Sequence, residues 1–348
     1  MQHLLVRATN WIGDAVMSIP ALREIRRSHA GWRITVLALP WVAGLYEGEG
    51  FCDEVVIYSR DGDHSGIRGR EKLARDLRTR QFDRAILLQN AFDAAWLAWR
   101  ARVPERIGYD SDGRGLLLTD RVAVPSSGEI PKHQRFYYLE LLSRARLIER
   151  MPGDTAARFD RIDDLRRKGA AQWERRGLSP EPWIGVSPGA AFGSAKRWPA
   201  ERFASAAADL AEELGTGIAV FGSGAEASLA AEVAAQVGTR SVCLAGQTSL
   251  AEYLELASTC QLYLTNDSGS MHVAAALGVP TVAVFGATDA GATGPAAPWA
   301  RIVRHPVECS PCMLRECPIE GHPCMTGVEP MMVVNEARSL LASLGDAE

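Results

Sequence analysis

HLLVRATNWIGDAVMSIPALREIRR, residues 3–27, begins with a short apolar run and ends in a stretch whose apolar residues recur at helical spacing. A turn that contains Gly13 joins the two parts. The order strand, turn and helix is the repeating unit of a parallel sheet covered by helices. The segment therefore predicts an α/β protein that opens on a buried strand.

The same alternation occurs twice along the chain. Further strands are predicted at 34–39, 54–58 and 85–89, with helices near 65–80 and 132–142. After a polar stretch of about thirty residues the alternation restarts, with strands at 183–188, 217–222, 241–245, 262–266 and 281–286. We expect two Rossmann-like, doubly wound domains, 1–170 and 171–348, with a ligand cleft outside the carboxyl ends of the strands. A last helix is predicted near 329–344, and packing back onto the first domain is one arrangement open to it.

Composition places the chain among ordinary globular proteins. It has 348 residues, of which 47% are hydrophobic and 23% are charged, so disorder, collagen and a disulfide scaffold are excluded. Polar residues interrupt the N-terminal apolar run, which does not suit a signal peptide, and we expect a cytoplasmic protein. The net charge of −4 hides an asymmetry: residues 1–180 carry 30 Lys/Arg and 24 Asp/Glu, and residues 181–348 carry 8 and 18. A basic half suits a phosphate-rich partner, although solvated charge explains it equally well.

The loops that follow the strands are the candidate functional segments. After the first strand come Asn10, Gly13 and Asp14, with Asp14 at the start of a predicted helix, where the helix dipole favours an ionised carboxylate. Asp14 is either an ordinary helix-start residue or a general base, and its spacing does not decide between the two.

Two other loops have the chemistry of a phosphate site. NDSGSMH, residues 266–272, joins a strand to a helix that starts near Ser268, where free backbone N–H groups attract anions. The alternative is that Asp267 or Ser268 only caps the helix. Lys196 follows a loop rich in small residues and either neutralises a diphosphate or belongs to a surface Lys-Arg pair. Neither the P-loop motif nor the dinucleotide fingerprint is present.

Four of the seven cysteines, Cys309, Cys312, Cys317 and Cys324, lie within sixteen residues. The first two form a C-x-x-C pair, which makes a structural zinc site conceivable. A second pair with matching spacing is missing. An ordered, metal-free loop shaped by its prolines is therefore the preferred interpretation.

Several ordered motifs together resemble the bacterial ADP-heptose:lipopolysaccharide heptosyltransferases of glycosyltransferase family 9. They are RATNWIGDAVMSIPAL (7–22), PGAAFGSAKRWP (188–199), TNDSGSMHVAAAL (265–277) and CSPCMLRECP (309–318). LLQNAFDAA (87–95) and RIGYDSDGRGLLLTD (106–120) extend the likeness, which runs almost from end to end.

The resemblance implies a GT-B fold, in which the first domain holds the acceptor and the second holds the nucleotide sugar. It also implies transfer of L-glycero-D-manno-heptose from ADP-heptose to the first heptose of the lipid A inner core, with inversion at the anomeric carbon. Two alternatives stay open. One is a sibling family 9 transferase with a different acceptor, heptosyltransferase I or III, and the other is a GT-B-fold nucleotide-sugar 2-epimerase.

The resemblance also implies roles for individual residues. Asp14 would be the general base, and Lys196 and the helix start at Ser268 and Gly269 would stabilise the leaving diphosphate. The remaining donor-binding candidates are Gly189, Glu226 for sugar or ribose hydroxyls, Thr248 near the adenosine, and Asp267 and His272 around the heptose and phosphates. By position alone, and not from the resemblance, the acceptor-binding candidates are Asn10, Gly13, Arg60, Arg106 and Arg114.

No obligatory metal or other cofactor is expected, because side chains and helix dipoles stabilise the leaving group in enzymes of this type. The DSD at 110–112 lies away from the inferred donor site. The expected partners are ADP-heptose and a lipid A-Kdo-heptose acceptor, with no nucleic acid and no transmembrane segment. We expect a cytoplasmic enzyme that associates peripherally with the inner face of the cytoplasmic membrane.

Overall fold

The computed structural model describes residues 1–180 and 182–345, which form two compact units. The first unit spans Met1–Asp160, and the second begins at Arg161. Each unit contains a six-stranded sheet in which every strand pair is parallel. The division lies at residue 160, whereas the sequence places it at 170.

The first sheet has the strand order β3-β2-β1-β4-β5-β6. The strands β1 and β4 are neighbours in this sheet although about eighty residues separate them. β1 is entirely buried because helices cover both faces of the sheet. The strands are β1 (His3–Arg7), β2 (Arg33–Ala38), β3 (Glu54–Ile57), β4 (Arg84–Leu87), β5 (Glu105–Tyr109) and β6 (Asp120–Val122).

Six helices belong to the first unit. They are α1 (Ile12–Met17), α2 (Ile19–Ser28), α3 (Pro40–Ala43), α4 (Gly66–Thr79), α5 (Phe92–Arg100) and α6 (Gln134–Arg144). The predicted first helix is thus two helices that meet at Ser18, and Pro20 lies in the first turn of α2, where its missing N–H costs nothing. The α6 helix packs against α1 and α2.

The second sheet has the order β12-β11-β10-β7-β8-β9. Its strands are β7 (Trp183–Ser187), β8 (Gly217–Val220), β9 (Ser241–Cys243), β10 (Cys260–Asn266), β11 (Thr281–Phe285) and β12 (Ala300–Arg304). Its core contains apolar residues from β7, β8, β10 and β11, which meet the alanine-rich face of a long helix that follows β7.

Eight α-helices lie in the described part of the second unit. They are α7 (Ile162–Arg175), α8 (Ala200–Leu214), α9 (Ala227–Val237), α10 (Leu250–Ser258), α11 (Gly269–Ala276), α12 (Ala290–Thr293), α13 (Pro323–Thr326) and α14 (Pro330–Gly345). The last helix, α14, packs against α8, β11 and β12 of its own unit.

The α7 helix lies within the polar stretch in which the sequence predicts the domain boundary. Its buried residues Ile162, Leu165, Gly169 and Trp173 share one helical face, which packs against α10. A Cβ atom on Gly169 would overlap the main-chain oxygen of Glu255, so glycine permits the close approach of the two helices. This packing assigns α7 to the second unit.

Each sheet has one place where the direction of strand addition reverses, between β1 and β4 in the first unit and between β7 and β10 in the second. Loops at the carboxyl ends of such strands diverge and leave room for a ligand. Asp14 follows β1, Lys196 follows β7, and Asp267 follows β10. Over the residues that the structure describes, every helix is too short or too polar to cross a lipid bilayer.

Candidate functional site

Asp14 is the third residue of α1 and is half-buried. The hydroxyl of Tyr138 donates a hydrogen bond of 3.0 Å to its Oδ1 atom. Burial raises the pKa of Asp14, and the bond from Tyr138 opposes this effect. The sequence predicts that the helix dipole favours the ionised form, whereas in the structure the cost of desolvation is the larger influence.

The residues near Asp14 are held by Arg7, which is buried at the end of β1. Arg7 donates a 2.7 Å hydrogen bond to Oδ1 of Asn10, and burial lowers the pKa of Arg7 to about 10. The main-chain oxygen of Asn10 accepts a 2.8 Å bond from the indole of Trp41. Gly13 lies in the first turn of α1 beside Asp14. These bonds fix the loop at the carboxyl end of β1 that contains Asn10 and leads to Asp14.

Three arginines are predicted to contact an acceptor, and the structure separates them. Arg60 is exposed in the loop after β3 and is available to a ligand. Arg114 is fully buried, and its guanidinium donates to the main-chain oxygens of Tyr109 and Gln89 and to Asn90. These bonds give Arg114 a structural role inside the first unit, and its role in acceptor binding stays a prediction.

Arg106 is also held by bonds within the first unit. It lies near the amino end of β5, at the edge of the sheet opposite to Asp14. Its guanidinium donates to the main-chain oxygens of Leu117 and Val103. These bonds tie the loop after β5 to the sheet, which is a structural role.

Lys196 and Asp267 form an ion pair of 2.6 Å in the second unit. The side chain of Lys196 is 12% exposed and that of Asp267 is 4% exposed, so solvent screens the pair only weakly. The ammonium also lies 4.8 Å from the ring centroid of Phe192. Thr288 donates a further hydrogen bond to the same carboxylate oxygen of Asp267. The pairing fixes the ammonium beside the start of α11.

The first turn of α11 has no side-chain cap. Ser268 occupies the N-cap position without a capping hydrogen bond, and the Asp267 carboxylate binds Lys196 and Thr288 instead. The interpretation in which either residue only caps the helix is therefore wrong. The free N–H groups of the first turn lie at the positive end of the helix dipole, where they stabilise a bound anion. Gly269 begins this turn, and His272 follows it as a buried residue.

Asn266 is a positioning residue that the sequence analysis missed. It is fully buried; its amide donates to the main-chain oxygen of Pro188 at 2.7 Å and its Oδ1 accepts from the Trp198 N–H at 3.0 Å. Because Pro188 and Trp198 lie on either side of the Lys196 loop, Asn266 fixes both ends of that loop. Its place as the first residue of the 266–272 motif is the one sequence signal for this role, and that signal does not predict which groups the side chain binds.

Glu226 and Gly189 contact each other. A Cβ atom on Gly189 would overlap the Glu226 carboxylate, so a larger residue at position 189 would displace that side chain. Oε2 of Glu226 accepts hydrogen bonds from the main chain and the hydroxyl of Ser223, and the two residues form a capping box. Thr248 lies in the next loop, just before the cap of α10. These loops follow β7, β8 and β9 and so share one edge of the sheet.

The cysteine-rich loop between β12 and α13 lies against the Lys196 loop. Cys309, Cys312, Cys317 and Cys324 line a cavity of about 50 Å³, and all four are free thiols. Burial, together with the three other cysteines, raises the pKa of Cys324. Within residues 1–180 and 182–345, no three His, Cys, Asp or Glu side chains form a group that could hold a metal ion. Main-chain contacts anchor the loop, such as the bond from Ala195 N–H to the oxygen of Arg315.

Comparison with known proteins agrees with this architecture. The model of glycosyltransferase family 9 (heptosyltransferase) matches residues 70–322. Lipopolysaccharide heptosyltransferase 2 of Escherichia coli is 29% identical over 343 residues, which cover 97% of this chain and 98% of that protein. Lipooligosaccharide heptosyltransferase 2 of Haemophilus ducreyi is 30% identical over 353 residues, with 97% and 99% coverage.

The solved structure of E. coli ADP-heptose LPS heptosyltransferase II superimposes with a TM-score of 0.81. It is 28% identical, and the match covers 99% of this chain and 100% of that one. The expected α/β GT-B fold with two Rossmann-like sheets is thereby confirmed. The chain belongs to glycosyltransferase family 9, the heptosyltransferase family, and is a glycosyltransferase.

Proposed function

We propose that this enzyme transfers L-glycero-D-manno-heptose from ADP-heptose to the first heptose of the lipid A inner core, with inversion at the anomeric carbon. The Lys196–Asp267 pair beside the uncapped start of α11 is the observation that carries the proposal. It supplies a fixed cation and free N–H donors at one place, which is what a departing diphosphate needs. The printed names of the full-length relatives supply the sugar and the acceptor class.

On the donor side, negative charge grows on the diphosphate as the bond from the anomeric carbon to the ADP oxygen breaks. The Lys196 ammonium has three N–H donors, and Asp267 engages it through one carboxylate oxygen, so donors remain for phosphate oxygens. The first-turn N–H groups of α11, from Gly269 onward, bind the same charge without reorganising. Gly189, Glu226, Thr248 and His272 complete the proposed donor site.

On the acceptor side, the acceptor's hydroxyl oxygen bonds to the anomeric carbon, and Asp14 accepts the proton that this hydroxyl loses. A half-buried carboxylate with a raised pKa is a stronger base than an exposed one, which suits this task. Asn10, Gly13 and Arg60 are the acceptor-binding candidates that remain once the structural roles of Arg106 and Arg114 are taken into account.

The proposed chemistry uses side chains and backbone only, so no obligatory cofactor or metal ion is proposed. The acceptor is a lipid, and we propose that the enzyme works peripherally at the inner face of the cytoplasmic membrane. The first unit carries 24 Lys/Arg against 21 Asp/Glu, a net charge of +3, which favours contact with anionic lipid and sugar phosphates.

The alternative of a nucleotide-sugar 2-epimerase is disfavoured by the second unit. An epimerase needs several free acid and base groups around the sugar ring. The carboxylates in these loops are already engaged, since Asp267 is paired with Lys196 and Glu226 accepts two bonds from Ser223.

One assay tests the proposal and its siblings together. The enzyme is incubated with ADP-heptose and three lipid A-Kdo acceptors that carry no heptose, one heptose or two heptoses, and the products are weighed by mass spectrometry. We expect a gain of one heptose only on the acceptor that already has one. A gain on either of the other acceptors alone assigns the enzyme to a sibling, and isomerised sugar without transfer supports the epimerase.

A further inference from the structure

The α6 helix places one hydroxyl on Asp14. Tyr138 is 4% exposed, and its O–H donates to Oδ1 of Asp14 at 3.0 Å across 124 residues of sequence. The Oδ2 atom of Asp14 has no hydrogen-bond partner in residues 1–180 and 182–345. One oxygen of the carboxylate is therefore held by the protein, and the other is available to a substrate.

Among residues 1–180 and 182–345, no cation lies against Asp14 to stabilise its charge. The α1 helix packs against α2, α3 and α6, and the titratable groups that act on Asp14 are Tyr138 from α6 and Tyr46 from the segment after α3. The charged residues of α2 have other partners: Arg23 pairs with Asp160, Arg26 with Asp53, and Arg27 with Glu24. Both tyrosines stay neutral, because burial raises the pKa of each well above its ordinary value. The bond from Tyr138 is thus the contact that opposes the desolvation of the carboxylate.

We propose that Tyr138 is a positioning residue for the transfer reaction: it orients the Asp14 carboxylate, keeps it ionised and directs Oδ2 to the acceptor hydroxyl. This inference rests on the proposed role of Asp14 as the base. A hydrogen bond to the charged form of a carboxylate favours that form, and a neutral donor provides this without adding a charge that would weaken the base.

Gln134 supports the same arrangement. It lies one helical turn before Tyr138 on α6, and its side chain partly offsets the effect of burial, which raises the pKa of Tyr138 well above its ordinary value. A phenol with a lower pKa is a stronger hydrogen-bond donor. Gln134 thus acts on Tyr138, Tyr138 donates to Asp14, and only Asp14 is proposed to touch the acceptor.

The test is the pH profile of kcat/KM for the acceptor in Tyr138→Phe. The acidic limb of this profile reports the pKa of the base in the free enzyme. We expect the limb to move upward by about one pH unit, and kcat/KM above the limb to stay below the wild-type value because Oδ2 is no longer directed to the acceptor. Gln134→Met should move the limb in the same direction by less, and it provides the test if Tyr138→Phe fails to fold. An unmoved limb in both variants overturns the inference.

Tyr109→Phe is the matched control. It removes an equally buried hydroxyl that bonds the main-chain oxygen of Tyr137 on the same helix, and it does not touch Asp14. The same limb shift in Tyr109→Phe would show that packing of α6, rather than the bond to Asp14, is responsible, and would also overturn the inference.

Asp14→Asn separates this inference from the proposed function. If Asp14→Asn keeps its activity, the base assignment fails; if it is inactive and Tyr138→Phe shows no shift, only the role of Tyr138 fails. A readout independent of turnover is the ¹³C carboxyl titration of aspartate-labelled enzyme, in which the Asp14 signal is the one missing from Asp14→Asn. We expect its midpoint to rise in Tyr138→Phe and to stay in place in Tyr109→Phe.

Discussion

Lys196 and Asp267 follow different strands of the second sheet, yet their side chains meet at 2.6 Å with almost no exposure to solvent. An ion pair in this position has two consequences. It fixes the ammonium in one place, and it leaves each charge dependent on the other, because an unpaired buried charge is costly.

Lys196→Ala should therefore impair both folding and donor binding. Loss of the ammonium leaves the Asp267 carboxylate buried with only the Thr288 hydroxyl as partner, and we expect the free energy of unfolding to fall by about 3 kcal/mol. The affinity for ADP should fall as well. Urea unfolding and calorimetric titration measure the two effects, and Arg197→Ala, which removes an exposed neighbouring cation, is the control. Equal loss in both variants would argue against a specific role for Lys196.

Ser268→Asp should change stability and binding in opposite directions. Aspartate is a good N-cap and interacts favourably with the helix dipole, so the variant should gain up to about 1 kcal/mol of stability. The new carboxylate occupies the place proposed for the diphosphate, so ADP binding should be lost. Ser268→Ala is the control, because the wild-type serine makes no capping bond that alanine would remove. Retained ADP affinity in Ser268→Asp would show that the phosphates bind elsewhere.

Asn266→Ala should loosen the Lys196 loop at both ends. The variant leaves the main-chain oxygen of Pro188 and the N–H of Trp198 without their partner, and we expect a loss of about 2 kcal/mol in the free energy of unfolding. Transfer should slow even under conditions where the variant is fully folded, which steady-state kinetics at low temperature can check. Normal kcat in the folded variant would mean that the loop is held well enough without this side chain.

Asp14→Asn should be more stable than the wild type at neutral pH while losing transfer. Burial raises the folded pKa of Asp14, so the folded state holds this proton more tightly than the unfolded chain does, and ionisation reduces stability as pH rises. The amide carries no such cost. The difference in urea midpoint between variant and wild type should be small near pH 4, should grow as the pH rises, and should become constant above the folded pKa of Asp14. A variant that is less stable at the higher pH would mean that the ionised carboxylate stabilises the fold.

The sequence predicts elements with a strong apolar pattern and misses those that charge obscures. The buried strands β1, β2, β7 and β11 are recognisable because they are continuous apolar runs. The sequence does not predict α7, since its charged residues outnumber the four that it buries. The strands β5, β6 and β12 were missed for a similar reason, because charged residues stand in each of them.

The candidate site divides in the same way. Strand order places Asp14, Lys196 and Asp267 at switch points, so the loops after these strands carry the candidate residues, as the sequence predicts. The partners of a side chain are set by tertiary contacts that no spacing rule contains. Arg114 and Asn266 illustrate this. The sequence predicts ligand binding for Arg114 and no role for Asn266, and in the structure both side chains donate hydrogen bonds to main-chain oxygens.

Because α7 belongs to the second unit, the net charge of each folded unit differs from that of the corresponding half of the sequence. Six cations and three acids lie between 161 and 180, so the folded units carry net charges of +3 and −7 rather than the +6 and −10 of the two sequence halves. Neither unit then has a field strong enough to gather anions from a distance at physiological salt, where charges beyond about 8 Å are screened. Encounter with ADP-heptose should consequently respond little to ionic strength, in contrast to enzymes that steer their substrates electrostatically.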